Sequence, residues 1–344
     1  MFNLKSKLMK VSGLDVHKDI IFCDIYDGIK RNKVQEFPTF TDNIREMGIM
    51  LQKQKVKRIA MESTSIYWIP VWNILEDMGF ELMLVNPYLI KQMPGRKSDV
   101  KDAQWIATLL HKGLLRGSLV PDKQIRELRS YSRRYVKLQA MITSSFQQME
   151  RILEMCNIRI TSLVSCNNSM SVKKVIQGII QRNDSVEELA CHIHGRILNS
   201  KKEKVKKSLE GFIPEYHRFN LELVWQQYAL YQEQLTSIEK MMKQICHKHY
   251  SEQMHLLQTI PGIKEQSAMQ IIAETGNNMD AFENSGKITG WAGLRPKNDE
   301  SAGKFKSTSI TKGNKYLRRI LVQCAWAASR TKGSYYKNKF EQLY

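Results

Sequence analysis

An α/β unit followed by a mostly helical remainder is the fold class this sequence predicts. Three observations predict it. Short apolar runs of strand length alternate with amphipathic stretches through roughly the first hundred residues. Two later stretches keep apolar residues at alternating three- and four-residue spacing over many turns. The chain is 344 residues long, above the usual size of one domain and below that of three, so two compact units with a connector are expected.

Residues 10 to 27 hold two β runs, VSGLDV and DIIFCDIY, joined by a tight HKD turn, and KVQEFPTF supplies a third. The period then changes. TDNIREMGIMLQKQ is helical, with Thr41 or Asp42 as its cap. VKRIAMES is a short buried strand, IPVWNILEDMGF a helix and ELMLVNP another strand. A last amphipathic helix begins near Ser98, with Ser98 and Asp99 placed to cap it, and runs through DAQWIATLLHKGLL. Three antiparallel strands followed by alternating helices and strands resemble the ribonuclease H fold.

Beyond the loop GSLVPD the chain turns to long helices. Leu128, Tyr131, Tyr135, Leu138, Ile142, Met149 and Ile152 keep a 3-4 alternation interrupted only at Ser145. Leu221, Val224, Tyr228, Tyr231, Leu235, Ile238, Met242 and Ile245 keep it without interruption. Such spacing marks a coiled-coil seam, suited to pairing the two runs with each other or with a second copy of the chain. A charged helical region lies between them, and from about Ser251 a helix, a Pro-Gly turn and another helix follow. The expected divisions are residues 1–118, a helical assembly region 119–250 and a C-terminal domain 251–344.

Charge narrows the function. The net charge is +19, and residues 285 to 344 carry thirteen Lys or Arg against three acidic residues. A polyanion is the expected partner. No apolar stretch approaches the roughly 18 residues of a spanning helix, which argues against an integral membrane protein. The basic N-terminus leads into no apolar core with a cleavage site, so no secretion signal is read. Six scattered cysteines without a C-x-x-C pair suit the reducing cytoplasm. Cys191, His192 and His194 lack the second ligand pair of a zinc site and read as ordinary helix residues.

Four acids form a candidate metal-binding set. Asp15 ends the first strand and Glu62 the fourth, and these strands are central neighbours in the expected sheet. Asp99 and Asp102 lie three residues apart on one face of the last helix. Each alone reads more readily as a turn, strand-end, cap or solvated residue. Together they converge, and four converging carboxylates repel one another unless divalent cations neutralise them. Mg²⁺, a hard ion held by a few carboxylates, suits the set, and two such ions about 4 Å apart can clamp the attacking and leaving oxygens of a phosphodiester exchange. Asp19, Asp24 and Asp27 fall on the second strand or its loop and suit the role less.

The Gly-punctuated segment from Thr289 to Ser329 sets Lys297, Lys304, Lys306, Lys312, Lys315, Arg318 and Arg319 among small residues, a composition suited to phosphates. Seven neutralised phosphates would make binding fall with roughly the sixth power of salt concentration. The PGI turn at residues 261–263 is similar to a helix-hairpin-helix phosphate clamp. Ser301, Ser307 and Ser309 are equivalent candidates for a nucleophile, which needs a base or metal to take its proton.

GLDVHK, AMESTSIYW, VNPYLIKQMPGRKSDVKDAQWIA, LQTIPGI and GWAGLRPKNDESAGK with KGNKYLRR, in this order and at these distances, resemble the DEDD transposases of the insertion sequence 110 family, which includes Piv-type site-specific DNA invertases. The resemblance implies a RuvC-like N-terminal domain in which Asp15, Glu62, Asp99 and Asp102 bind Mg²⁺. It implies a C-terminal transposase domain whose nucleophile is Ser301 rather than Ser307 or Ser309. It further implies a 5′-phosphoserine intermediate and a bridge RNA that pairs with donor and target DNA. Dimers joined into a tetramer through the coiled coil are implied too, with the two halves of a site drawn from one chain or two. A cytoplasmic, nucleoid-associated protein is expected. Family members continue past SYYKNKFEQLY with a further basic helical stretch, so a truncated copy is expected. Two other readings fit the same residues: a RuvC-like nuclease that uses water, and a non-catalytic nucleic-acid-binding remnant.

Overall fold

The computed structural model describes residues 9–31, 33–87, 99–164, 169–183, 185–297, 299–301, 303–307 and 309–343. The chain forms two compact units, one ending at Val120 and one starting at Pro121.

The first unit contains β1 (Val11–Val16), β2 (Ile20–Tyr26), β3 (Gln35–Pro38), α1 (Thr41–Lys53), β4 (Arg58–Glu62), α2 (Trp68–Asp77), β5 (Glu81–Val85) and α3 (Asp99–His111). Its sheet has the order β3-β2-β1-β4-β5. The first three strands are antiparallel, whereas β4 runs parallel to β1 and β5 parallel to β4. This is the ribonuclease H topology. Every residue of β1 is buried, as expected of a central strand covered on both faces. The edge strand β3 is largely exposed and closes on Pro38, where a missing amide costs no ladder bond.

Alternation along the strands decides what each face meets. Leu14, Val16, Ile59 and Met61 join Ile44, Met47, Leu51, Val71 and Leu75, which covers one face with α1 and α2. Val11, Ala60 and Val85 join Ile106 and Leu110 of α3 on the other. Gly13 shares that second face, and its missing side chain is what admits α3: a β-carbon there would lie 2.3 Å from the Ala103 carbonyl oxygen and 2.4 Å from the Ala107 nitrogen. Thr41 and Asp42 lie within the first turn of α1 rather than capping it. The N-cap is Phe40, which has no capping side chain.

The second unit is built on α4 (Lys123–Met155) and α8 (Glu215–His249). Asp122 starts α4 by accepting the Ile125 amide at 2.8 Å. The two expected seams pack against each other within the chain, in antiparallel sense. Leu128 and Tyr135 share a core with Met242 and Cys246, while Ile142, Phe146, Met149 and Ile152 share another with Leu221 and Tyr228. Ser145, the interruption, is itself buried in the seam. Around the second core lie α5 (Met170–Ile180), α6 (Val186–Cys191) and α7 (Gly195–Leu209). Around the first lie α9 (Ser251–Gln258), α10 (Glu265–Thr275), α11 (Ser285–Ala292) and α12 (Lys315–Ser329), and α13 (Tyr335–Leu343) follows. The Gly-punctuated basic segment contains a hairpin, β6 (Asp299–Ser301) with β7 (Lys304–Ser307). No helix among the described residues is long and apolar enough to cross a membrane.

Candidate active site

Asp15 and Glu62 come together because β1 and β4 are parallel and in register. Leu14 stands opposite Met61, so the next residue of each strand is an acid. Both have the parity of Gly13 and Ala60 and therefore face α3. Asp102 immediately precedes Ala103, the residue against which Gly13 packs. Three of the four expected acids thus converge on one edge of the sheet beneath one helix. Asp99 is the first residue of α3, and its side chain lies outside the described residues, as does Ser98.

Asp15 is 5% exposed. Burial pushes its carboxyl above the ordinary carboxylate range. The charge of His17 and a hydrogen bond from it oppose the shift, and the carboxylates of Glu62 and Asp102 add to it. His17 Nε2 donates to Asp15 Oδ2 at 3.1 Å, and the Thr64 hydroxyl donates to Glu62 Oε1 at 3.2 Å. The sequence reading missed both partners. Their signal was an i+2 position, which in an extended chain returns a side chain to the same face. Among the described residues no three His, Cys, Asp or Glu side chains stand close enough to hold a metal ion. The chemistry of the donors nonetheless fits a hard cation: all are carboxylate oxygens, and Glu62 and Asp102 add negative charge around buried Asp15 that His17 opposes.

The other acids of the second strand serve the scaffold. Asp24 is fully buried and accepts from Arg31 at 3.0 Å. Asp27 accepts the amides of Ile29 and Lys30 in a turn.

In the second unit, Ser301 lies at the tip of the β6–β7 hairpin, opposite Lys304, with Gly303 at φ +72° in the turn. The side chains of Ser301, Lys304 and Lys306 lie outside the described residues. Lys297, Lys312 and Lys315 are exposed. Arg318 and Arg319, expected to meet phosphates, direct donors inward. Arg318 bonds the Ala292 and Thr311 carbonyls, and Arg319 bonds the Gln139 side chain. Ser307 and Ser309 bond each other at 2.7 Å. Gly262 of the PGI turn packs on α12, where a β-carbon would stand 2.4 Å from the Cys324 carbonyl oxygen.

Residues 12–158 match the DEDD transposase model of the insertion sequence 110 group, described as "Transposase". Residues 254–341 match the model described as "Transposase IS116/IS110/IS902 family". No curated protein matches the chain. Two solved structures of Thermus thermophilus RuvC, one in complex with a Holliday junction substrate, are similar at 13% identity and a TM-score of 0.25. They cover 32% of this chain and 99% and 100% of their own. The two family models place both the acids and the serine hairpin inside matched segments, and the chain belongs to the insertion sequence 110 family of DEDD transposases.

Proposed function

We propose that this transposase cuts and rejoins DNA through a serine nucleophile assisted by the acidic set, guided by a bridge RNA. The observation that carries the proposal is buried Asp15, raised in pKa, beside Glu62 on the adjacent parallel strand and Asp102 on α3. Asp15, Glu62, Asp99 and Asp102 would hold Mg²⁺. When bound, the ion would relieve their repulsion and supply positive charge toward a phosphate.

The hydroxyl of Ser301 attacks phosphorus and its proton passes to a carboxylate of the set. The P–O3′ bond breaks, the 3′ oxygen takes up a proton, and the 5′ phosphate stays on the serine. Attack by the 3′ hydroxyl of another strand reverses these changes, restores a phosphodiester and frees Ser301. His17 orients the Asp15 carboxylate, and Thr64 does the same for Glu62. The basic C-terminal segment, with Lys297, Lys304, Lys306, Lys312 and Lys315, carries donor and target DNA and the RNA. Dimers or a tetramer, with acids and serine from one chain or two, complete the proposal, in a cytoplasmic, nucleoid-associated setting.

The test is covalent trapping. The protein is incubated with element ends and Mg²⁺ and denatured, and DNA attached to protein is measured. The adduct should form with the native chain, vanish with Ser301→Ala and fall sharply with Asp15→Asn. Cleavage without an adduct would establish water as the attacker and sink the serine step. Salt-sensitive binding without cleavage in any divalent metal would sink the enzyme reading.

A further inference from the structure

Two separate segments meet at the root of the Ser301 hairpin. Gly293 ends α11 with φ +71°, and Gly313 lies against it: a β-carbon on Gly313 would stand 2.4 Å from the Gly293 nitrogen and 2.5 Å from the Trp291 carbonyl oxygen. A glycine is required for so close an approach of two backbones. The Asn314 amide donates to the Trp291 carbonyl at 2.8 Å. Asn314 Oδ1 caps α12 by accepting from Tyr316 and Leu317, and its Nδ2 donates to Glu274 at 2.6 Å. Glu274 is 1% exposed and accepts two bonds from Arg133, each at 2.9 Å. One buried carboxylate therefore fixes both Arg133 and the loop that starts α12.

The outcome is a cleft of about 480 Å³ lined by Arg133, Trp291, Lys312, Asn314, Lys315 and Tyr316. The Arg133 guanidinium lies 4.7 Å over the Tyr316 ring and the Lys315 ammonium 5.4 Å from it, so one ring holds two cations at one wall. Among the described residues no carboxylate lines the cleft, and the charge of Glu274 beneath is matched by Arg133 and Arg129. Three cations favour a phosphate. The half-buried indole of Trp291, held edge-on by Phe282 at 5.5 Å, offers a flat apolar surface beside them. In a duplex the base faces are stacked away. An aromatic wall next to phosphate-binding cations suits a nucleotide whose base is free.

We infer that this cleft holds an unpaired nucleotide of DNA or RNA, its phosphate on Lys312 and Lys315 and its base against Trp291. The inference rests on the nucleic-acid-binding reading above and deepens it. The Arg295–Thr311 backbone bond closes the hairpin root, and six residues reach from Arg295 to Ser301, at most about 20 Å of extended chain. The captured nucleotide would therefore lie near the strand that the serine attacks.

The experiment measures binding of the full chain to an unstructured oligothymidylate, its RNA counterpart oligouridylate and a DNA duplex, by anisotropy and by tryptophan fluorescence across a salt series. Lys312→Ala/Lys315→Ala should weaken single-strand binding roughly tenfold and lower the salt slope by about 0.7, the value for one phosphate of a single strand. Lys201→Ala/Lys202→Ala, an equal charge loss at exposed positions on α7, should change affinity less than twofold. Quenching by the single strand should disappear in Trp291→Phe, and the tighter of the DNA and RNA arms identifies the strand captured. Equal losses from both lysine pairs, equal losses for duplex and single strand, or quenching retained in Trp291→Phe would overturn the inference while leaving nucleic-acid binding intact. A native chain that binds none of the three would overturn both.

Discussion

Gly13→Ala tests whether the helix above the acids is positioned by a single missing side chain. The new β-carbon would stand 2.3 Å from the Ala103 carbonyl oxygen and 2.4 Å from the Ala107 nitrogen. Both obstacles are backbone, so no rotamer change relieves them. Restoring ordinary contact requires α3 to move outward by about 1 Å, and forced expansion of a packed interface costs about 1–3 kcal/mol. For a domain of this size that lowers Tm by roughly 5–15 °C. Asp102 moves with the helix, and a misplacement of about 1 Å in a catalytic constellation costs on the order of a hundredfold in rate. Thermal unfolding by circular dichroism, together with cleavage of element ends in Mg²⁺ below the lowered Tm, reads both effects. Gly195→Ala is the control, since nothing lies within 4 Å of its β-carbon position. A Gly13→Ala protein that melts and cleaves like the native chain would refute the reasoning.

Further expectations concern the second unit. Glu274→Ala leaves Arg129 and Arg133 without their buried counter-charge and should cost about 3 kcal/mol by urea unfolding; Glu274→Gln should cost less, because its amide oxygen still accepts. Asp122→Ala removes the cap of α4 and should cost about 1 kcal/mol in the same assay, and an unchanged midpoint would deny the cap any role. Burial pushes the Cys246 thiol and the Tyr250 hydroxyl up to about 12, from ordinary values of 9.0 and 10.0. The folded chain then keeps protons that the unfolded chain releases. This contribution is intact below about pH 9 and is lost as pH climbs toward 12. Tm measured across that range should fall, and fall less steeply in Cys246→Ala; equal slopes would exclude the thiol as a source.

The first unit was legible because its strands carry the period of their burial. VSGLDV, RIAME and ELMLV sit where the apolar runs put them, and the pairing that brings Asp15 to Glu62 follows from strand order. The i+2 spacing of His17 and Thr64 puts them on the right face, but closing their bonds depends on rotamers. The helical seams were legible as seams, but their partner was not. Heptad-like spacing states which face is buried, and only the charged segment folding back as α5 to α7 brings α8 against α4. Arg318 and Arg319 looked like phosphate ligands because composition records charge and not direction; Arg318 is drawn inward by the Ala292 and Thr311 carbonyls and Arg319 by the Gln139 side chain. Glu274 gave no signal at all: an acid near the end of α10 gains its meaning from Arg133 and Asn314, 141 and 40 residues away in sequence.

The core that unites the start of α4 with α12 has a consequence for synthesis. Ile125 and Leu128 leave the ribosome early, yet the Leu317 and Ile320 side chains that complete their surroundings are made almost 200 residues later. At about 5–20 residues per second, the nascent chain keeps that greasy strip incompletely covered for roughly ten to forty seconds. Chaperones that bind exposed apolar helices have their widest opportunity there, and a polypeptide released before α12 leaves the strip covered only by what α8 to α11 supply.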